Sequence, residues 1–153
     1  MVPANDVELT FRKPDRIASL TEEEITEKCK FNSDIYIFEG KDFYVRCILP
    51  LPVKEKGHEY CLGVWVQVSS NSFNRIWDLW DEKDISSEPL IKGLLANEVP
   101  LTEGSINSDV TIQLIGSESR PEVNIIDQNC SLHLEQTCGI TIHRASEYSD
   151  LCR

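Results

Sequence analysis

The 153-residue sequence has little of what membrane, nucleic-acid-binding and secreted proteins depend on. No apolar run approaches the roughly 18 residues of a membrane-spanning helix, and the N-terminus has no apolar signal core. Lys and Arg total 15 against 26 Asp and Glu, and no basic cluster is longer than Arg12-Lys13. Since nucleic-acid affinity comes largely from cations that neutralise phosphates, we expect a protein that binds neither nucleic acid nor membrane surfaces. The lack of a signal core leads us to expect a cytoplasmic location.

Motifs for cofactors and for catalysis are also missing. The seven glycines are scattered rather than gathered into a phosphate-binding loop, and no GxSxG nucleophile elbow occurs. The six cysteines include no CxxC pair, and without an export signal we expect buried free thiols rather than disulfides. Cys61 with His58 or His143 is conceivable as a nucleophile and base, but nothing in the sequence orients either pair. We expect no cofactor and a non-enzymatic protein.

One cysteine and histidine pattern has the intervals of a zinc knuckle. Cys130, His133, Cys138 and His143 are separated by two, four and four residues, and both residue types bind Zn²⁺. A knuckle is a self-contained loop, however, whereas the segment SLHLEQ within this pattern is typical of a helix. These residues are therefore only a weak alternative to the expectation that the protein has no metal site.

The sequence does contain enough apolar material for a core. Its hydrophobic fraction is 41%, and its length suits one domain, so residues 1–153 are predicted to form a single domain. The formal net charge of −11 permits a basic protein partner.

The alternating segment from residue 33 to residue 49 predicts a central β-hairpin. Gly40 and Lys41 suit a two-residue II′ turn, which would pair Phe38 with Phe43. Since proline cannot donate to a strand ladder, the second strand is expected to end at the prolines that follow, Pro50 and Pro52.

The stretch LGVWVQVSSNSFNRIWDLW, residues 62–80, changes from strand to helix periodicity within a few residues. Its first part is a strand with Leu62 and the valines on one face. Its second part is a helix capped by Ser69 or Ser70. The apolar stripe of that helix is predicted to fold back onto a sheet face, and its members are Phe73, Ile76, Trp77 and Trp80. Its two tryptophans are expected to be core, with a binding surface as the alternative.

Turn and cap residues predict the remaining elements. We expect a short edge strand at residues 6–11, a helix after an N-cap at Thr21, a strand in LIKGLLANEVP, a hairpin in residues 108–127, and two C-terminal helices separated at Gly139. This order predicts the α+β class, with a mainly antiparallel sheet of about five to six strands and helices packed on it.

Trp65 and Arg46 are the most specific candidates for a site. Trp65 lies on the strand face opposite the valines, and Arg46 lies on the mixed face of the preceding strand. If these strands pair, the two side chains could form a cation–π contact. Such a contact could either be structural or form the floor of a shallow pocket.

Four segments in this order, DIYIFEGKDFYVRCILPLPV, GVWVQVSSNSFNRIWDLWD, GLLANEVP and LHLEQTCGIT, resemble the bacterial family called domain of unknown function 2199. The resemblance covers nearly the whole chain. It implies a single cytoplasmic domain but supplies no activity, substrate or cofactor. Many members resemble zinc ribbons at their start, with a CxxCG element that this sequence lacks, and their HPLAxEQ segment is NCSLHLEQ here. The recurring polar and aromatic features of the family fall on Arg46, Trp65, Trp80, Asn97, Glu135 and Gln136.

Two functions remain open from the sequence. The leading hypothesis is a non-enzymatic protein-interaction module, accessory or immunity-like, that binds a protein partner or itself through an apolar patch beside the sheet. The alternative is a small-molecule-binding protein or enzyme with a cleft near Trp65, Arg46 and Glu135. The candidate ligand-binding residues are Arg46, Trp65, Asn97, Glu135 and Gln136, and no residue is predicted to be catalytic.

Overall fold

The computed structural model describes residues 8–55, 57–82, 88–116 and 119–151. Its helices are α1 (Asp15–Ala18), α2 (Glu22–Lys28), α3 (Ser70–Leu79), α4 (Ser131–Cys138) and α5 (Ile142–Asp150). Its strands are β1 (Cys29–Phe31), β2 (Ile35–Phe38), β3 (Asp42–Val53), β4 (His58–Val68), β5 (Ile91–Leu95), β6 (Asp109–Gln113) and β7 (Glu122–Ile125).

The sheet closes into a barrel. Each strand pairs antiparallel with the next one along the chain, and β3 also pairs in parallel with β7, at Ile48 and Glu122. Strands β3 to β7 therefore form a closed, mixed barrel, and β1 and β2 extend the sheet from the N-terminal half of β3. The α+β class is confirmed, but the prediction of a mainly antiparallel sheet is wrong, because β3 runs beyond β2 and its remaining edge binds β7.

Strand β3 continues through both prolines to Val53, contrary to the predicted end. The carbonyl of Pro50 accepts a hydrogen bond from Gln136 Nε2 (3.3 Å), and that of Pro52 accepts one from Ile140 N (2.7 Å). The carbonyl and the nitrogen of a strand residue point to the same side, so both prolines turn their nitrogens away from β4. The β3–β4 ladder therefore does not need the missing N–H groups.

Strand β2 pairs with β3 one residue away from the predicted register. The loop has three residues rather than two, so Phe38 pairs with Asp42 and not with Phe43. The backbone φ is +51° at Glu39 and +68° at Gly40, and positive values at two successive residues are the signature of a type I′ turn. Because strand side chains alternate, this shift moves every β2 side chain to the face opposite the predicted one.

The barrel interior is filled by alternate residues of its strands. The predicted apolar row of β4 is confirmed as part of this interior. Helix α3 packs against the same core. It begins after Ser69, whose side chain accepts a hydrogen bond from Ser72 N. The Phe43 and Phe73 rings lie 4.9 Å apart between sheet and helix. Buried barrel residues include Val45, Cys47, Leu49, Leu62, Val64, Val66, Leu95, Val110, Ile112, Val123 and Ile125.

One member of the α3 stripe is not in the core. Phe73 and Ile76 are buried and Trp80 is half-buried, but Trp77 is 58% exposed. At about 100° per residue, Trp77 projects about 70° away from the mean direction of the other three. The predicted burial of Trp77 is therefore wrong.

A second apolar cluster lies outside the barrel, under the N-terminal segment and α1 and α2. It is built around Trp65, and its other members are Ile17, Ile25, Cys29, Tyr36, Phe38, Tyr44 and Ala96. Helix α2 begins with the predicted Thr21 cap, which forms a capping box with Glu24. Of the predicted edge strand at 6–11, residues 6 and 7 lie outside the described residues, and Thr10 makes a single parallel bridge to Gly63.

The later elements agree with the sequence predictions. LIKGLLANEVP contains strand β5, and β6 and β7 form the predicted hairpin. Gly139, at φ +88°, separates α4 from α5, and Thr141 caps α5 by accepting a hydrogen bond from Arg144 N. None of the helices in the described ranges has the length and apolar character that a membrane crossing requires.

Replacement of Gly93 by alanine should destabilise the barrel. A Cβ there would lie 2.5 Å from Val66 Cγ1 and 2.8 Å from the backbone oxygen of Gln67. We expect Gly93→Ala to lower the free energy of unfolding by about 1–3 kcal/mol, although alanine is otherwise favoured over glycine within a strand. Urea denaturation measures this, with Lys92→Ala, at an exposed position of the same strand, as the control. Equal stability of the two variants would contradict the close approach of β4 and β5.

Candidate functional site: a groove beside helix α3

The site begins at a fork along one edge of β3. The pairing with β2 ends where Ile35 meets Val45, and the pairing with β7 is at Ile48. Between them, Arg46 N donates to the carbonyl of Asp34 (2.9 Å). Because β2 and β7 leave β3 in different directions, the two strands enclose a gap, which α3 borders.

This gap is a groove of about 420 Å³, which we call the α3 groove. Its residues come from the position just before β2, from β3, from α3 and the residue that follows it, and from the connection between β6 and β7. Most of them are apolar, and the polar side chains are Asp34, Ser119 and Arg120. The lining residues are Asp34, Ile48, Ile76, Leu79, Trp80, Leu114, Ile115, Gly116, Ser119, Arg120 and Pro121.

Two arginines, Arg120 and Arg46, lie near a single carboxylate, that of Asp34, at the fork. Arg120 Nε lies 3.6 Å from Asp34 Oδ1 in a partly exposed ion pair, which contributes little stability. Burial, together with the nearby positive charge of Arg120, lowers the pKa of Arg46, and Asp34 partly opposes this. Arg46 Nη1 donates to the carbonyl of Ser33 (3.3 Å), while its Nε is buried without a hydrogen-bond partner in the described residues. Two cations therefore share one carboxylate at this end of the groove.

A second, smaller depression of about 210 Å³ adjoins the α3 groove. The two share Trp80 and Asp34, so Trp80 and Asp34 form the partition between them. We call it the indole depression, because it also includes the exposed Trp77. Its lining residues are Asn32, Asp34, Ile35, Trp77, Trp80 and Asp81.

Trp65 and Asn97, both predicted site residues, contact each other away from these depressions. Asn97 Oδ1 accepts from Trp65 N (2.8 Å), and Asn97 Nδ2 donates to the carbonyl of Lys13 (3.0 Å) and to Asp15 Oδ1 (2.9 Å). Trp65 Nε1 donates to the carbonyl of Phe11 (2.9 Å). Both side chains are buried, so these bonds attach the N-terminal segment to the outer face of β4.

Arg46 and Trp65 are neighbours, as predicted, but they do not form the proposed contact. They are directly paired between β3 and β4. The cation–π contacts of the described residues are Arg16 on Phe38 and Arg144 on Tyr148. Trp65 instead contacts Tyr36 edge-on, with ring centroids 5.2 Å apart and an interplanar angle of 71°.

The comparisons with known proteins identify a family. The sequence profile of DUF2199, described as an uncharacterised protein conserved in bacteria, matches residues 4–140. This chain belongs to the DUF2199 family. No curated protein and no solved structure matches it.

In this DUF2199 chain, Glu135 and Gln136 lie on α4 and bind different parts of the fold. Glu135 accepts hydrogen bonds from Tyr148 Oη (2.8 and 3.1 Å) and from Arg144 Nε (3.3 Å). Burial, and then the charge of Glu135, raise the pKa of Tyr148. The hydroxyl therefore stays protonated and donates to the carboxylate.

Gln136 connects the strands that close the barrel. Its Oε1 accepts from Ile125 N (2.8 Å), and its Nε2 donates to the carbonyls of Val123 (2.8 Å) and Pro50 (3.3 Å). The structure thus brings Trp65, Asn97 and Arg46 close together and holds Glu135 and Gln136 in separate networks on α4. A ligand-binding role for these five residues stays a prediction.

The weak metal candidate is not assembled. Cys130 is the N-cap of α4 and Cys138 its last residue. They are eight positions apart along the helix, which places them about 12 Å from each other, so they cannot share an ion. Within the described ranges, no group of three or more Cys, His, Asp or Glu side chains could hold a metal.

The thiols differ in their surroundings. Burial, reinforced by the charges of Glu8, Glu59 and Glu122, raises the pKa of Cys61 to about 11. His58 does not face it, because residues three apart on β4 project to opposite faces. Cys61 is therefore almost entirely a thiol at neutral pH and lacks this histidine as a base.

The residues that form the α3 groove were not found from the sequence. Trp80 was predicted to be apolar core, and Asp34, Leu114 and Arg120 carried no signal for a site. Arg120 lies 86 positions from Asp34 along the chain, and only the closure of the barrel brings them together. A periodic pattern can assign each residue to a face but cannot show which distant strands meet.

Loss of Asn97 should destabilise the fold. Asn97→Ala removes three hydrogen bonds and leaves Trp65 N buried without its acceptor. We expect the free energy of unfolding to fall by about 2–3 kcal/mol, since leaving a buried polar group without its partner costs about 1–3 kcal/mol. Asn124→Ala, at an exposed position on β7, is the control and should change stability by less than about 0.5 kcal/mol. Similar urea midpoints for the two variants would contradict the structural role of Asn97.

Alkylation should distinguish the cysteines. At neutral pH, Cys138, which is exposed, should react with iodoacetamide before the half-buried Cys61 and the buried Cys47. Between about pH 7 and pH 9 the rate at Cys61 should rise about tenfold per pH unit, because the thiolate fraction rises below its pKa. Peptide mass spectrometry measures each site separately, and labelling in urea is the control. Rapid reaction of Cys61 at neutral pH would instead indicate an activated nucleophile.

Proposed function

We propose that this protein is a non-enzymatic binding module whose α3 groove receives a short apolar and basic segment of a protein partner. The observation that carries the proposal is the concave, largely apolar groove at the β3 fork, together with the adjoining indole depression. The accessory or immunity-like role and the cytoplasmic location stay predictions.

The shape of the groove supports binding of a ligand. A volume of about 420 Å³ lies within the range of 300–1,000 Å³ typical of ligand sites. Its walls are apolar side chains, and a few polar groups at the rim can fix the orientation of an occupant. Two adjoining depressions suit a segment that inserts two successive side chains better than a single compact molecule.

The exposed aromatic surface supports a protein partner. Trp77 is 58% exposed beside the partition residue Trp80. Tryptophan is among the residues that contribute most to protein–protein binding energy, because it buries a large area with few rotatable bonds. A partner that covers these indoles would remove apolar surface from water.

The charge favours a basic partner. The net charge of −11 repels polyanions and attracts cations over long range. Near the groove, Asp81 adds negative charge just beyond the end of α3. Electrostatic complementarity of this kind raises association rates and discriminates against acidic partners.

The groove chemistry supports binding rather than catalysis. Among the described residues that line the groove there is no histidine, cysteine or lysine. Asp34 forms an ion pair with Arg120, and Ser119 is exposed. General acid–base catalysis requires a titrating group within hydrogen-bond reach of the reacting atom.

The alternative, a small-molecule cleft near Trp65, Arg46 and Glu135, stays a prediction with weaker support. Trp65 is buried and hydrogen-bonded to the N-terminal segment, and Glu135 is bonded to Arg144 and Tyr148. A ligand would have to break these bonds to use either polar group.

Blocking the groove should abolish peptide binding. Selection of a phage-displayed random peptide library on the full chain should enrich sequences that combine apolar and basic residues. Ser119→Trp, an enlargement of an exposed groove residue, should weaken binding of a synthesised enriched peptide by about tenfold or more, as expected where binding depends on a filled pocket. Isothermal titration calorimetry measures the affinity.

Ser131→Trp provides the matched control, since Ser131 is an exposed serine on α4 that does not line the groove. It should leave the affinity unchanged within about twofold, as surface changes outside an interface usually do. Failure to enrich any peptide, or equal binding by both tryptophan variants, would overturn the proposed use of the groove.

A further inference from the structure

We propose that the indole depression is a subsite for an organic cation, namely the ammonium or guanidinium group of a Lys or Arg side chain of the partner. The inference rests on the proposed function and adds to it the chemistry of one anchor residue. It follows from the lining of the depression, which combines two indoles with two carboxylates in about 210 Å³.

The two indoles supply the first element of cation recognition. Tryptophan has the strongest cation–π attraction of the aromatic side chains, because its ring face is electron-rich. Trp77 and Trp80 both line the depression. Phe73 packs against Trp77 with ring centroids 6.1 Å apart and an interplanar angle of 29°, which holds the indole while most of it stays exposed.

The carboxylates supply the second element. Asp34 and Asp81 line the same depression, and no Lys, Arg or His side chain is among its described lining residues. Arg120 contacts Asp34 from the α3 groove, at 3.6 Å and partly exposed to solvent, so it neutralises this carboxylate only weakly. Arg75, the cation of α3, pairs with Glu88 instead. Arg46 also interacts with Asp34, so Asp81 is the lining carboxylate that supplies negative charge beside the aromatic rings.

A side chain of a partner fits this arrangement better than a free inorganic cation. A small hard cation prefers several oxygen ligands at short distance, and no such group exists among the described residues. An ammonium or guanidinium group on an alkyl stem can place its stem on the indoles and its charge beside the carboxylates. The adjoining α3 groove would receive the apolar neighbour of this side chain.

Nuclear magnetic resonance titration of the 153-residue chain tests the inference with defined probes. The probes are Nα-acetyl-lysinamide, Nα-acetyl-argininamide, the uncharged Nα-acetyl-norleucinamide, and tetramethylammonium as a cation without a peptide backbone. The indole N–H signals of Trp77 and Trp80 should shift with the lysine and arginine probes and not with the norleucine probe. The indole N–H of Trp65, bonded to Phe11 and buried, is the internal reference and should not move.

Variants establish which groups carry the binding. Trp77→Ala, at an exposed position, should weaken binding of the lysine probe by about three- to thirtyfold, the range that a cation–π contact supplies. Asp81→Asn should weaken it as well. The matched control Asp78→Asn, an exposed aspartate on α3 outside the depression, should leave binding within about twofold of wild type, as expected for a screened surface charge.

Each other result would overturn the inference. Equal shifts with the norleucine probe would make the depression an apolar site, and shifts with tetramethylammonium alone would make it a site for a free quaternary cation. Absence of any shift would exclude cation binding. The proposed function is tested separately: peptides that require an open α3 groove but no basic residue would support it while refuting this subsite. Binding of the lysine probe without any enriched peptide would support this subsite while refuting the proposed use of the α3 groove.

Discussion

The double pairing of β3 along one edge is the constraint on which the rest of the structure depends. Its N-terminal half pairs with β2, and beyond Val45 the same edge turns to β7 and closes the barrel at Ile48. Gln136 then connects the carbonyls of β3 and β7 and the N–H of Ile125, which satisfies polar groups that an incompletely paired edge leaves over. A strand that changes partners must leave a gap where it does so. The α3 groove is that gap.

Closure also divides the apolar residues into two cores. Because strand side chains alternate, β3 and β4 present one row to the barrel interior and another to its outside. The outer row would be exposed if the N-terminal segment did not cover it. Asn97 holds that segment in place by accepting from Trp65 and donating to Lys13 and Asp15. The fold therefore uses its buried tryptophan for structure and leaves Trp77 at the surface, where it can contact a partner.

The electrostatic layout of the groove follows from the same fork. Asp34 immediately precedes β2 and Arg120 precedes β7, so the two strands that part at β3 bring opposite charges to one gap. Arg46, between the two pairings, adds a second cation whose charge is poorly solvated. On the other side of Trp80, in the indole depression, the described lining residues include carboxylates and indoles but no cation.

The sequence by itself determined the local elements and much of the inner core. Periodicity identified the β4 row, the fold-back of α3 and the β6–β7 hairpin, because side-chain alternation and capping depend on neighbours along the chain. It placed Arg46 beside Trp65 correctly, since adjacent antiparallel strands are also local. The β2 register was local as well, but it depended on positive φ at Glu39 and Gly40, which the residue pattern did not reveal. Tertiary structure alone decided the passage of β3 through Pro50 and Pro52 and the exposure of Trp77, because each depends on what packs against the element. It also decided the groove, because Asp34 and Arg120 meet only through a parallel strand pair that no short-range pattern encodes.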